Sequence, residues 1–333
     1  MQRDPEEVQL IQGAGQPARR YAKVGGVLGR GRFGEVFRGV AKASGDVVAI
    51  KVIDLEAGGG EVLEDVRREV QLLSSLGGEH VVRLHGAQVK GHRLWVVMEW
   101  MELSVADLVK ESHGTTQGTA LEENVIAVVV RDVLQALVYI HAQGLAHRDI
   151  KGENCLVSAN GRVKLGDLGL AAPLAGCSAH GRDGASTDTP TSHLELAGTP
   201  LYLAPECIRP GGLASDRADV WATGVMTIAM ATGRVPHHNK PPARALPLIA
   251  AGPPPSLSSL FSNDLRNFVT SALLMDSSER PAAAKLLKHR MPSHASTAAL
   301  LAILSNRHPS ASPLHTTHPM SLAAPRMGLA GGG

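Results

Sequence analysis

Aromatic side chains are almost missing from this chain: three Trp, three Tyr and four Phe, 3% of 333 residues. With 44% of residues apolar, any core must be built from Leu, Val, Ile and Ala instead. Cysteine is equally sparse. Cys155, Cys177 and Cys207 have no CxxC or metal-ligand spacing, which excludes a disulfide scaffold and a zinc module and suits a reducing, cytoplasmic compartment. Neither charge is in real surplus. The formal net charge is +2 with the basic residues scattered, so no nucleic-acid or membrane-surface footprint is expected. Long apolar runs are lacking too. The uncharged stretch "VWATGVMTIAMATG" at Val220–Gly233 is too short to span a bilayer and reads as a helix buried in a soluble protein. The first twenty residues are charged and lack the apolar centre of a secretory signal.

What is present falls into two regions of different character. From Tyr21 to about Glu99, apolar runs such as "DVVAIKVI" and "RLWVVME" alternate with Gly-containing turns and predict strands. One helical segment interrupts them, "EVLEDVRREVQLLSSL", where Val62, Val66, Val70 and Leu73 recur every three to four residues. After Met101 the pattern turns helical, with a long helix in "EENVIAVVVRDVLQALVYIHAQG" ended by Gly144 and others over 216–233, 262–275 and 281–289. The expected organisation is an N-terminal extension (1–20), a β-rich lobe (21–99), a mostly helical lobe (102–290), and a Ser-, Pro- and His-biased tail (291–333) expected to be disordered. A second biased stretch at 172–194 lies mid-chain and is expected to be a mobile loop of functional size.

Several motifs carry chemistry. In "LGRGRFGEV", Leu28 to Val36, Gly29, Gly31 and Gly34 form G-x-G-x-x-G around Arg30, Arg32, Phe33 and Glu35. A dinucleotide site would need a helix after the glycines and an acidic residue about twenty positions on, a place that Asp54 fills. A strand, turn and strand follow Gly34 instead, which favours a β-hairpin whose glycines bring backbone N–H groups close to phosphates, with Phe33 at the flap tip. An ordinary glycine hairpin without a ligand is the plain alternative. Lys51 ends the strand "VAIK", and Glu69 lies on the apolar stripe of the helix. A carboxylate on an inward face needs a partner; Lys51 is the natural one, and the pair would hold α- and β-phosphates. Alternatively, Glu69 sits at the edge of the stripe and reaches solvent.

The densest cluster is "HRDIKGEN", His147 to Asn154. Here Asp149 would accept or orient the proton of an incoming hydroxyl, and Lys151 would neutralise charge on a phosphoryl group in transfer. Asn154, with Asp167 of "VKLGDLGLA", would make the few-ligand oxygen site expected of Mg²⁺ held against nucleotide phosphates. His147 and Arg148 read as structural, with Arg148 available to a phosphorylated loop residue. Phosphoryl transfer needs positioning and charge neutralisation above all, and these groups supply both.

Taken together, "GRGRFGEV", "VAIK", "HRDIKGEN", "DLG" (167–169), "GTPLYLAPE", "ADVW" and "SSERP" resemble, in order and over about residues 21–290, a eukaryotic protein kinase. Lys151 after "HRDI" and Thr199 in "GTP" resemble the serine/threonine class. "VAIKVIDLE", "LWVVMEWM" and "MTIAMATGRVPH" resemble its sterile-20 group, germinal-centre kinase branch. The resemblance implies an α+β bilobal fold, ATP and Mg²⁺ as cofactors, protein substrates and a role in intracellular signalling. It also implies Met98 as gatekeeper, the backbone of Glu99 and Met101 against adenine, and Val36, Ala49 and Leu156 on the faces of the base. Thr199 is implied in the substrate-binding loop beside Asp149 and Lys151, Glu206 as the partner of Arg280, and Asp219 as a brace for the catalytic loop.

Three departures stand out. Leu168 replaces the family's Phe after the metal-binding Asp, "ELSVADL" replaces a glycine-rich segment, and Leu201 and Tyr202 replace Phe and Trp. Ser178, Ser186, Thr187, Thr189, Thr191 and Ser192 crowd the 172–199 loop, where an upstream kinase is expected to act within Thr187–Ser192. A pseudokinase serving as a scaffold, and a small-molecule kinase of similar fold, are the alternatives. His237 and His238 have no metal-like company, and "KLLKHR" is an ordinary basic helix end.

Overall fold

A computed structural model describes residues 20–31, 34–56, 59–112, 119–174, 198–209 and 215–307. Strict two-residue alternation builds the N-terminal lobe. Strands β1 (Tyr21–Gly31), β2 (Gly34–Ala41), β3 (Val47–Asp54), β4 (Leu84–Lys90) and β5 (Arg93–Glu99) form one antiparallel sheet in the order β1-β2-β3-β5-β4. On β3 the side chains of Val48, Ile50 and Val52 go to one face, where they cluster with Trp95 and Val97. Lys23 covers that face, its ammonium 4.1 Å from the Phe37 ring centre and 5.1 Å from that of Trp95. Lys51 and Ile53 go to the other face, where Ile53, Leu94 and Val96 meet Val66 and Val70 of helix α1 (Gly59–Ser75). The apolar stripe anticipated in the sequence is thus the face by which α1 is held to the sheet.

Past the hinge, β6 (Leu103–Ser104) pairs with β8 (Cys155–Val157), which pairs with β9 (Val163–Leu165). Helix α2 (Val105–Ser112) starts where Ser104 and Asp107 cap each other: the Ser104 hydroxyl accepts from the Asp107 N–H and donates to its carboxylate. This short helix was not anticipated. The body of the lobe is α3 (Glu123–Ala142) against α5 (Asp216–Thr232), both mostly buried. A Cβ added at Gly224 would stand 2.8 Å from Leu273, so α5 approaches α7 (Asn263–Ala272) closely there. Helix α4 (Pro205–Ile208) and α6 (Pro242–Ala251) lie between these in sequence. The strands β7 (Leu145–Ala146) and β10 (Ala172–Pro173) pair beside the His147–Asn154 segment. By length and composition α3 is apolar enough to cross a membrane, a property also shared by core helices; here it is the centre of the lobe.

Folded structure extends beyond position 290, where the sequence places the start of a disordered tail. After α8 (Ala283–Leu286) come α9 (Arg290–Ser293) and α10 (Ala298–Arg307), with Met291, Leu300 and Leu304 buried in the main core. Leu300 and Leu304 are one helical turn apart, enough to bury one face of a short helix despite the biased composition around it. The remainder of the tail and positions 1–19 lie outside the described residues, as does nearly all of the 172–199 loop, including Cys177 and the six Ser/Thr positions.

The connection leaving α1 is fastened to the helical lobe. The Tyr139 hydroxyl donates to the Gly77 carbonyl (2.6 Å), Arg162 meets Glu79 (2.9 Å), and Leu165 exchanges backbone bonds with His80 and Val82 (2.9 Å each).

Candidate active site

Between the lobes lies a cavity of about 460 Å³. Among its lining residues are Leu28, Gly29, Val36 and Ala49 from above, Met98, Glu99 and Met101 at the hinge, Leu156 from below, and Lys51 and Asp167 at the inner end. All ten were anticipated as nucleotide or metal contacts. Arg30, Gly31, Gly34 and Glu35 belong to the overlying hairpin, which pairs Gly29 with Val36 and Gly31 with Gly34; Arg32 and Phe33 at its tip lie outside the described residues. The segment after Gly34 is a strand, so the dinucleotide alternative falls. Asp54 accepts from the Glu56 N–H at the end of β3, away from the cavity lining. A Cβ on Gly34 would lie 2.1 Å from the Val52 carbonyl oxygen, so that position must be glycine for β2 to stay against β3.

At the inner end, the Lys51 ammonium donates to both Glu69 oxygens, at 2.9 and 3.0 Å, with both residues buried. Glu69 therefore faces inward and does not turn to solvent at the edge of the stripe. Glu99 was anticipated only for its backbone, yet its carboxylate accepts from Lys164 (2.8 and 2.9 Å) and from the Arg83 N–H (2.6 Å). Those bonds pin the hinge to β9 and to the segment before β4. Leu73, Val82, Trp100, Glu102, Ser104 and Asp107 also line the cavity and were missed. Only the last two carried a local signal, the spacing of a reciprocal helix cap.

Asp149, Lys151 and Thr199 form a closed triangle. Lys151 donates to Asp149 (2.7 Å) and to the Thr199 hydroxyl (2.8 Å), and that hydroxyl donates to Asp149 (2.8 Å). The Asn154 amide nitrogen donates to the Asp149 carbonyl (2.8 Å) and carboxylate (2.9 Å). Burial pushes the Asp149 carboxyl up, but the bonds from Lys151, Thr199 and Asn154 and the Lys151 charge together outweigh it and hold the group below its ordinary value. It stays a carboxylate at neutral pH.

With its amide N–H groups spent on Asp149, Asn154 has its side-chain oxygen left as the coordinating atom. Asp167 stands at the end of β9 in left-handed backbone (φ 54°), one carboxylate oxygen accepting from the Gly169 N–H. One carboxylate and one amide oxygen are too few for a closed metal cage, and among the described residues no group of three or more His, Cys, Asp or Glu forms one. The donor set fits a Mg²⁺ ion completed by phosphate oxygens. His147 is fully buried. Its Nδ1 accepts from the Asp149 N–H (3.3 Å), so Nε2 carries the proton that meets the Gly166 carbonyl (3.1 Å). Asp219 accepts from the His147 and Arg148 N–H groups (2.8 Å each), and Glu206 makes a two-bond pair with Arg280 (2.7 and 3.1 Å). Leu168 is fully buried in the core cluster that also holds Leu73.

The protein kinase domain family model matches residues 22–291 of this chain. The chain belongs to the protein kinase family. It is similar to the serine/threonine-protein kinase dst1 of Dictyostelium discoideum (36% identical over 79% of this chain and 33% of dst1). It is similar also to two serine/threonine-protein kinases of Schizosaccharomyces pombe, both 37% identical over 79% of this chain: ppk11, 79% of whose length is covered, and sid1, 52% covered. The chain thus spans a third of dst1 and half of sid1. These relatives are of the sterile-20, germinal-centre type that the motifs resemble. Phosphoryl transfer is the chemistry of the family to which this domain belongs, and ATP is the phosphoryl donor that the family implies. The scaffold alternative has no support: Lys51, Glu69 and Asp167 line the cleft, and Asp149 and Asn154 are present and hydrogen-bonded to each other.

Proposed function

We propose that the whole protein acts as an ATP- and Mg²⁺-dependent serine/threonine kinase in cytoplasmic signalling. The observation that carries this is the Asp149–Lys151–Thr199 triangle, in a chain that also holds the buried Lys51–Glu69 pair. Lys51, fixed by Glu69, would hold the α- and β-phosphates. The hinge backbone at Glu99 and Met101 would take the adenine edge, with Val36, Ala49 and Leu156 on its faces. Asn154 and Asp167 would hold Mg²⁺, which when bound neutralises phosphate charge. Asp149 accepts the hydrogen bond of the substrate hydroxyl and orients its oxygen toward the γ-phosphorus. Lys151 sits 2.7 Å from Asp149, placed to neutralise the equatorial oxygens during transfer. Thr199 holds both side chains in register and lies in the segment that would receive the substrate backbone.

Protein substrates, and an upstream kinase acting on the 172–199 loop, are the partners we propose. Arg148, with burial lowering its pKa, would receive the loop phosphate. Neither nucleic acid nor a membrane has a part in this reading. The test is transfer of labelled γ-phosphate to a generic basic protein with Mg²⁺. Transfer abolished by both Lys51→Met and Asp149→Asn is expected; transfer that survives either substitution, or a wild-type chain no better than both, overturns the proposal.

A further inference from the structure

The family match ends at Met291, yet helix α10 lies beyond it and is docked through Leu300 and Leu304. Together with the segment before it, α10 makes three further contacts. The Ala295 carbonyl accepts from Nη1 of Arg131 on α3 (2.8 Å), and Nε of the same guanidinium donates to Asp132 (2.9 Å). Buried Asp132 accepts in turn from the N–H of Val163, the first residue of β9 (2.9 Å). Leu301 lies over Gly161 in the turn joining β8 to β9, so close that a Cβ on Gly161 would stand 3.0 Å from its side chain. Arg307 pairs with Glu111 in the last turn of α2.

These contacts fall on the elements that make the lower wall of the cavity. In the small sheet β6-β8-β9, Ser104 pairs with Leu156 and Leu156 with Lys164, and the chain leaves β9 directly into Gly166 and Asp167. Ser104, Leu156, Gly166 and Asp167 line the cavity, as does Asp107 in the first turn of α2. Strands of two and three residues have no stability of their own, and such a sheet takes its position from what packs on it. On one side β9 is tied at Leu165 to the connection leaving α1. At Val163 and the β8–β9 turn, it is the C-terminal segment that takes hold.

From this geometry we infer that the segment Ala295–Arg307 is a positioning clasp for the nucleotide: it holds β8, β9 and α2 from behind, so that its docking and nucleotide affinity are coupled. The inference rests on the reading of the cavity as the nucleotide site. It predicts a split in the kinetics, because Asp149, Lys151 and Thr199 hydrogen-bond one another and Asn154, away from the clasp. Undocking α10 should weaken nucleotide binding and spare transfer at saturation. Coupling is reciprocal, so a bound nucleotide must tighten the clasp by the same factor.

The experiment compares Ala302→Pro with Ala302→Gln in the full chain. Ala302 is exposed in the middle of α10, so Pro breaks the helix through its backbone whereas Gln keeps it. The expected result is a Kd for a fluorescent ATP analogue with Mg²⁺ raised on the order of fivefold in Ala302→Pro and unchanged in Ala302→Gln. The kcat at saturating ATP should stay within about twofold of wild type in both. Leu301→Ala, which frees the β8–β9 turn at little cost in buried surface, should raise Kd by about twofold and takes the place of the Pro variant if that chain does not fold. Amide hydrogen exchange gives a second readout. Exchange at Gly161 and Val163 should quicken at least about fivefold in Ala302→Pro, and exchange within α10 should slow when the wild-type chain is saturated with the analogue. Wild-type affinity in Ala302→Pro and Leu301→Ala, equal loss in the Pro and Gln variants, a loss carried by kcat, or α10 exchange indifferent to the analogue would each overturn the inference. Unaltered exchange at Gly161 and Val163 overturns the clasp whether or not nucleotide binds, whereas a wild-type chain that binds no analogue overturns the reading of the cavity.

Discussion

At Asp149, opposing influences meet on one carboxyl. Burial acts to raise its pKa, and three donors together with the Lys151 charge overcome it. The folded value is therefore depressed: the resulting stabilisation is complete above the unfolded value of about 3.9 and is lost as pH falls through the folded one. A ¹³C-carboxyl titration of Asp149 should have its midpoint below 3.8, and a midpoint near neutrality would contradict the triangle. Cys207 behaves in the opposite sense. Burial pushes its thiol up to about 11, so at pH 8 roughly one molecule in a thousand carries the thiolate. Residue-resolved alkylation with iodoacetamide should label Cys207 far more slowly than a free cysteine, and Cys155, fully buried with its thiol raised further, not at all in the native state. The Lys51–Glu69 pair was legible in the sequence, because a carboxylate on an apolar stripe demands a cation. The contact of His141 with Asp219 (2.8 Å) was not legible: the two lie 78 positions apart, and no local pattern joins them.

Among the elements, the glycine hairpin is the most exacting. Gly34 has no room for a methyl group beside the Val52 carbonyl, so Gly34→Ala must push β2 away from β3 and lift the roof of the cavity. ATP KM should rise several-fold with a smaller change in kcat, as read from initial rates at saturating protein substrate. The strands of this lobe were legible because short apolar runs such as Val47–Ile53 and Leu94–Met98 are bounded by turn residues. Helices α2 and α6 were not. The first is eight residues long and starts at a cap rather than at a hydrophobic repeat. The second contains Pro247 inside a ten-residue span, and a sequence reading takes such a proline as a breaker. Helix α10 was hidden by the low-complexity composition around it, although Leu300 and Leu304 mark its buried face.

For the molecule as a whole, the segment past 290 belongs to the folded domain. Leu300→Ala or Leu304→Ala should each lower unfolding free energy by about 2–5 kcal/mol, and the half-exposed Leu301→Ala by much less, in urea titrations of the full chain. Equal effects at all three would mean that α10 does not dock. The fastening of the Gly77–Val82 connection has a mechanical consequence. Helix α1 is inserted in sequence between two strands of the upper lobe, yet its outgoing end is bolted to the lower one at Tyr139, Arg162 and Leu165. When the upper sheet swings about the hinge it carries Lys51 with it, and α1, packed on that sheet through Val66 and Val70 but tied to the base just past its end, is pulled both ways. The Lys51–Glu69 separation then acts as a gauge of lobe closure, and a pair of distance probes on β3 and α1 would register each opening of the cleft as a stretch within what the chain order presents as a single lobe.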